Sequence, residues 1–325
     1  PANGNLVLIS GEVITDSAAL TVSGTTTVTT DVADKAITLG TLASTGDVSL
    51  NSSGTTGNAV VNNTTTALGL AASSIGGTLT AETDNSITVK GTVTSKGVTS
   101  LSASDDVIFA AAGALASTNG NITVTADDDN TPTGTGGAMT MANGATINSG
   151  TGTITLSADE DIALGGLTTT NATGAAVSIT SDNGSITDGG DTSVDITAST
   201  TGAVVTLAAK NAIGTVSGDS VYLDPADTGY AGNPLETAML TASITTSAVN
   251  SDIAIDNTSS GGLTISALQP GGAGNAASAW IRNSAALDVS GITINSTNNS
   301  ADELGFIATT GNLTVQDIGT TPLNV

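Results

Sequence analysis

The residues best equipped for chemistry in this chain are carboxylates. Asp127-Asp128-Asp129-Asn130 and Asp159-Glu160-Asp161 form two acidic runs, and Asp182, Asp188, Asp191 and Asp195 make a looser group. Calcium binds through six to eight oxygen ligands, so Asp127, Asp128, Asp129, Asp159, Glu160 and Asp161 are candidate calcium ligands. The competing reading is that all of them are solvated corner residues. No EF-hand loop is present, and Gly189-Gly190-Asp191-Thr192-Ser193 lacks a glycine that a calcium-binding nonapeptide repeat needs. Paired carboxylates can also serve as acid and base across a sugar bond. Against that stand the scattered cations Lys35, Lys90, Lys96, Lys210 and Arg282, which form no polyuronate-binding groove. The aromatic supply is limited to Phe109, Phe306, Tyr222, Tyr230 and Trp280. We assign no catalytic residue and no cofactor other than the candidate calcium.

Composition removes other chemistries. Among 325 residues there are no histidines and no cysteines, so His/Cys metal sites, thiol catalysis, Ser-His-Asp triads and disulfide frameworks lack their atoms. Five basic against 29 acidic side chains, a formal charge of −24, argue against a nucleic-acid partner. A hydrophobic content of 38%, carried by Ala, Val, Ile and Leu, is enough to drive folding and argues against disorder. No apolar run reaches the length of a membrane span. The start at Pro1-Ala2-Asn3-Gly4 suggests a processed product or a piece of a longer polypeptide.

The elements that must carry these residues are short strands. A phrase recurs in which glycine and a small polar residue precede two aliphatics separated by Thr or Ser: Gly46-Asp47-Val48-Ser49-Leu50, Gly120-Asn121-Ile122-Thr123-Val124, Gly152-Thr153-Ile154-Thr155-Leu156 and Gly311-Asn312-Leu313-Thr314-Val315. This alternation predicts aliphatics inward and hydroxyls outward. Between 147 and 221 the inward series reads Ile147, Ile154, Ile162, Val177, Ile186, Val194, Val204, Ile213 and Val221. Three such strands give a turn of roughly 20 to 27 residues, the length of one coil of a parallel β-helix. An antiparallel sandwich has similar spacing but usually needs aromatics between its sheets and tight Asn-Gly or Asp-Gly hairpins. The expected fold is all-β, a right-handed parallel β-helix of roughly 14 to 15 coils with a projecting loop.

The expected organisation is coils over 1–221, an irregular insertion or projecting loop over 222–249, and further coils over 250–325. Tyr222 to Pro234 holds both tyrosines and two prolines, and Leu235 to Leu240 could form one helical turn. Leu6 and Leu8 in the first strand, Leu313 and Val315 in the last, and Tyr222, Tyr230 and Trp280 are the expected interface residues. Asn-x-Ser/Thr tripeptides, for example at Asn171 and Asn257, occur at the frequency this composition yields by chance.

Gly-Asn-Ile-Thr-Val, recurring beside Gly152-Thr153-Ile154-Thr155-Leu156-Ser157-Ala158-Asp159-Glu160-Asp161-Ile162-Ala163-Leu164, resembles the repeats of filamentous-haemagglutinin-like bacterial exoproteins and giant repetitive surface adhesins. The resemblance implies a right-handed parallel β-helix, secretion to the bacterial surface, and service as a stalk, adhesin or matrix fibre. The expected function is a non-enzymatic extracellular rod in a cell-surface filament, fibre or surface layer, whose main partner is itself through end-to-end stacking. The alternative is an adhesin binding glycans or a host or neighbouring cell surface. A β-helix polysaccharide-degrading enzyme ranks third.

Overall fold

The computed structural model describes residues 4–127, 136–190, 192–215, 233–271, 277–292 and 304–315. It is all-β, with parallel strands stacked as a β-solenoid of about 12 turns divided between two compact units.

In the first unit, residues 1–159 with 167–169, one ladder joins Ile14–Thr15, Ile37–Leu39, Ala59–Asn62, Leu79–Thr83, Thr99–Ala103, Ile122–Ala126 and Ile154–Ala158. Register aligns Ile37, Ala59, Leu79, Thr99, Ile122 and Ile154 in one inward column, and Leu39, Val61, Ala81, Leu101, Val124 and Leu156 in the next. All of these except Thr99 are buried apolar residues. From Ile14 to Ile122 one turn takes 20 to 23 residues. Outward, Ser100, Thr123 and Thr155 stack beside Ser102, Thr125 and Ser157. Hydroxyls thus cover the wet face of strands whose β-branching suits an extended backbone.

The recurring phrase gains a physical explanation. Its glycines bring successive turns into close approach: a Cβ on Gly120 would lie 2.1 Å from the Gly97 carbonyl, and one on Gly152 would lie 2.2 Å from the Gly120 oxygen. The polar residue after glycine ties one turn to the next. Asn121 Oδ1 accepts the Thr153 N–H at 3.0 Å, and the same bond joins Asn5 to Thr25, Asn58 to Thr78 and Asp106 to Ala138. These side-chain oxygens satisfy backbone donors that the strand ladder leaves over.

Two such carboxylates show the electrostatic consequence. Burial pushes the Asp16 carboxyl up, yet N–H donation from Thr41 and Gly40 and the Thr41 hydroxyl more than offsets it and holds the group below its ordinary value. Asp34, at a left-handed φ of 63°, is held low by the N–H groups of Thr56 and Thr55. A folded-state pKa below the unfolded one contributes stability above the unfolded value of about 3.9, lost as pH falls through the folded pKa. Melting temperatures taken from pH 6 down to pH 2 should fall below pH 4, and Asp16→Asn should flatten that limb. An unchanged limb would remove the tie from the stability balance.

The second unit comprises 160–166 and 170–325. Val177–Ser181, Val205–Ala209, Thr241–Thr246, Leu263–Gln269, Leu287–Asp288 and Leu313–Thr314 are its strands of one kind. Ile253–Asn257, Ala279–Asn283 and Leu304–Ala308 form a second ladder. Asn257 and Asn283 are fully buried there, and Asn257 Nδ2 donates to Asn283 Oδ1 at 2.9 Å.

Three expectations are corrected. The count of 14 to 15 coils exceeds the 12 observed because some turns lengthen: Ile122 to Ile154, Val177 to Val205 and Val205 to Ala242 take 32, 28 and 37 residues. The insertion does not extend to 249, since Leu235–Met239 and Thr241–Thr246 are ladder strands, and Leu235–Met239 is no helical turn. Leu235 and Met239, four residues apart, satisfy a helical stripe and a strand's alternation equally. Val194 and Val204 do not point inward: both are partly exposed, while Asp195, Ile196 and Val205 are buried. Period-two patterns invert on a one-residue shift, and Val204-Val205 leaves that parity open.

Candidate functional site

The structure brings together a cluster of carboxylates different from the acidic runs. Asp188 ends the strand Ile186–Asp188 at an inward position, Asp195 immediately precedes Ile196–Ala198, and Glu236 lies outward in Leu235–Met239. Asp188 is 7% exposed and Asp195 2%. One carboxylate oxygen from each of the three lies within 4.8 Å of the others.

Local backbone holds them there. Gly190, at a φ of +97°, donates its N–H to Asp188 Oδ1 at 2.9 Å. The Asp195 N–H donates to the Glu236 carbonyl at 2.7 Å, and the Glu236 N–H donates to Asp195 Oδ2 at 3.0 Å. Asp195 is thus another inter-turn tie of the kind seen at Asn121. Three carboxylates this close, two of them buried, repel one another at short range in a low dielectric. A hard cation with oxygen ligands matches such a donor set. The cluster fits a glycosidase pair poorly, because that chemistry needs carboxyl groups spaced across an accessible sugar.

Sequence reading found Asp188 and Asp195 as members of an acidic group but missed Glu236, which lies 41 residues from Asp195. The signal for Glu236 was the alternation in Leu-Glu-Thr-Ala-Met, read as helix.

The described residues of the acidic runs do not converge in this way. Asp127, at a φ of 59°, and Asp159 both flank Gly137, whose Cβ would lie 2.9 and 3.2 Å from theirs. Asp161 Oδ1 accepts the Ser185 N–H at 2.7 Å, and the Glu160 carbonyl accepts from Ser181 Oγ. Among the described residues, no group of three carboxylates at ligand distance includes Asp127, Asp159, Glu160 or Asp161. Asp128 and Asp129 lie outside the described residues, as do Tyr222 and Tyr230.

The expected interface residues separate. Leu6 and Leu8 are partly buried and their strand neighbours Val7 and Ile9 are exposed, at 62% and 67%. Leu313 and Val315 are also exposed. Trp280 is not a surface contact: it is 7% exposed, within a ladder between Ala254 and Gly305. Alternation puts the indole on the face opposite Ala279, Ile281 and Asn283, where the small Ala254 and Gly305 flank it and it is covered. Trp280→Ala should therefore cost about 3–5 kcal/mol of stability, read by urea denaturation. A variant as stable as the parent would return Trp280 to the surface.

Comparison with protein-family models, curated proteins and solved structures finds no match for the chain.

Proposed function

We propose that this chain is a non-enzymatic structural segment, a β-solenoid rod that forms part of an extracellular filament, fibre or layer of a bacterial cell surface. The observation that carries the reading is the repeated in-register ladder, in which each turn presents an aliphatic column and side-chain ties to the next. Such a stack is extended by adding another turn, from the same chain or from another copy. The strand Leu6–Ser10 pairs in parallel register with Thr26–Thr30, as the later turns pair with one another. The edge of such a ladder is a template for a further strand of the same chain or of another copy, and head-to-tail addition of copies does not close on itself. A formal charge of −24 supports the same reading by keeping long assemblies hydrated and laterally separate.

Electron microscopy of the purified chain at physiological ionic strength, with and without a calcium chelator, tests the proposal. Filaments or end-joined rods are expected, and uniformly dispersed single particles under both conditions would sink it. Calcium is the candidate ion for the cluster of Asp188, Asp195 and Glu236. If it binds there, saturation a hundredfold above Kd should stabilise the chain by about 2.7 kcal/mol, and Asp195→Ala should remove that increment in thermal melts.

The adhesin alternative loses one of its aromatic platforms with the burial of Trp280. It now depends on the region of Tyr222 and Tyr230.

A further inference from the structure

An asparagine or aspartate directly followed by glycine is open to attack by the glycine nitrogen, because no side chain shields that nitrogen or restrains its backbone. Four such pairs lie wholly among the described residues: Asn119-Gly120, Asn143-Gly144, Asn183-Gly184 and Asp188-Gly189. The fold holds three of them. The N–H of Gly120 donates to Ser117 Oγ at 2.8 Å, that of Gly184 to Ser181 Oγ at 3.0 Å, and that of Gly189 to the Leu164 carbonyl at 2.8 Å. Gly120 and Gly184 are also buried, and a Cβ on them would lie 2.1 and 2.4 Å from the backbone of the preceding turn. Their asparagine side chains are engaged too, Asn119 Oδ1 by the Thr151 hydroxyl and Asn183 Oδ1 by the Lys210 ammonium. Attack at either pair must first break these bonds and part the turns.

Asn143-Gly144 is held by none of this. Both residues are exposed, at the centre of a turn that the Ala145 N–H closes onto the Ala142 carbonyl at 2.9 Å. With Gly144 at a φ of +90°, that closure leaves the central N–H outside the turn's own hydrogen bond. Among the described residues, neither the Asn143 side chain nor the Gly144 N–H has a hydrogen-bond partner. A Cβ on Gly144 would come no closer to them than 3.2 Å, at the Ala111 carbonyl oxygen. The sequence supplies the reason: Ser117 and Ser181 stand three residues before their glycines, and Met141 takes that place before Gly144.

We propose that Asn143 is a self-modification site, at which the folded chain deamidates without an enzyme. The Gly144 nitrogen attacks Asn143 Cγ. An N–Cγ bond forms as the Cγ–Nδ2 bond breaks, and the Gly144 proton leaves with Nδ2 as ammonia. Water then opens the five-membered imide at one carbonyl or the other, giving aspartate or isoaspartate. Either product adds a negative charge, and isoaspartate lengthens the main chain by one carbon. The change falls at the corner joining Met139–Met141 to Thr146–Asn148, strands that pair with Val107–Phe109 and Ala114–Ser117. That corner then records the age of the folded chain as charge, one unit beyond −24.

The test incubates the purified folded chain at pH 8 beside synthetic peptides spanning 115–124, 139–148 and 179–188. Each pair is followed by peptide mass spectrometry and by labelling with an isoaspartyl methyltransferase. In the folded chain Asn143 is expected to convert at a rate close to that of its peptide. Asn119 and Asn183 should convert at least about tenfold more slowly than theirs, because they react only through local opening. Conversion at Asn143 should slow at pH 6, where less of the attacking nitrogen is deprotonated. Asn143→Gln, whose longer side chain closes the ring poorly, should lose the label at that corner and keep the parent's melting temperature. An intact Asn143 in a folded chain whose peptide reacts, or equal rates at all three asparagines, overturns the proposal.

Discussion

Ile122→Asp is expected to abolish the cooperative unfolding transition of the first unit. Ile122 is fully buried and stands in register between Thr99 and Ile154. No cation is aligned with it in that column, so the new carboxylate is either charged in an aliphatic interior or forced to take up a proton. Either outcome costs several kcal/mol, against a total stability of about 5–15 kcal/mol for an ordinary domain. Because each turn of a solenoid rests on its neighbours, the damage should spread along the ladder to Leu79–Thr83 and Ile154–Ala158. Thr123→Asp, one residue on and facing outward, is the control and should change stability by no more than about 0.5 kcal/mol. Urea denaturation followed by far-UV circular dichroism separates the pair. If Ile122→Asp melts like the parent, the inward assignment of the whole column is wrong.

Gly120→Ala should be the most damaging single-methyl substitution in the phrase. The added Cβ would lie 2.1 Å from the Gly97 carbonyl carbon and oxygen and 2.4 Å from the Val98 nitrogen, all of them backbone. No side-chain rotation relieves such an overlap, so two turns must separate and stretch the hydrogen bonds between them. Overpacking of this kind costs about 1–3 kcal/mol and sometimes more. Gly120 has no left-handed φ, so the penalty is one of space. Gly174→Ala isolates that point, because a Cβ there meets nothing within 4 Å. It should be neutral in the same thermal melts in which Gly120→Ala loses several degrees. Equal stability of the two variants would contradict the close approach of the turns.

Much of the fold could be read from particular residues. Ile122-Thr123-Val124 and Ile154-Thr155-Leu156 declared their strands and their inward faces because aliphatics and hydroxyls alternate there without ambiguity. Legibility failed where one pattern served two structures. Leu235 and Met239 fit a helix or a strand, and the Val204-Val205 pair fits either parity; each choice was made by pairing with strands many residues away. The carboxylate cluster was hidden for the same reason. Asp195 occupied an outward position in the period-two reading of Val194-Asp195-Ile196, and Glu236 meets it only through inter-turn pairing across 41 residues. Trp280 misled in another way: a lone indole in a chain otherwise poor in aromatics suggests a contact surface, whereas this one is covered beside the small Ala254 and Gly305.

The ties made at five corners run in one sense, whereas Asn63 and Asn257 inside the coil accept the N–H of the earlier Ser44 and Met239. Asn5, Asn58, Asn121, Asp161 and Asp252 each accept an N–H from a residue later in the chain, at Thr25, Thr78, Thr153, Ser185 and Ser278. A completed turn therefore displays unused acceptors toward chain that has yet to arrive. For a polypeptide emerging amino terminus first, each turn is a template that captures its successor once roughly another 20 residues are available, so the loop-closure entropy is met in small instalments. Growth of the ladder then becomes a directional ratchet, in which every new turn opposes backsliding of the chain by the bonds it has just made.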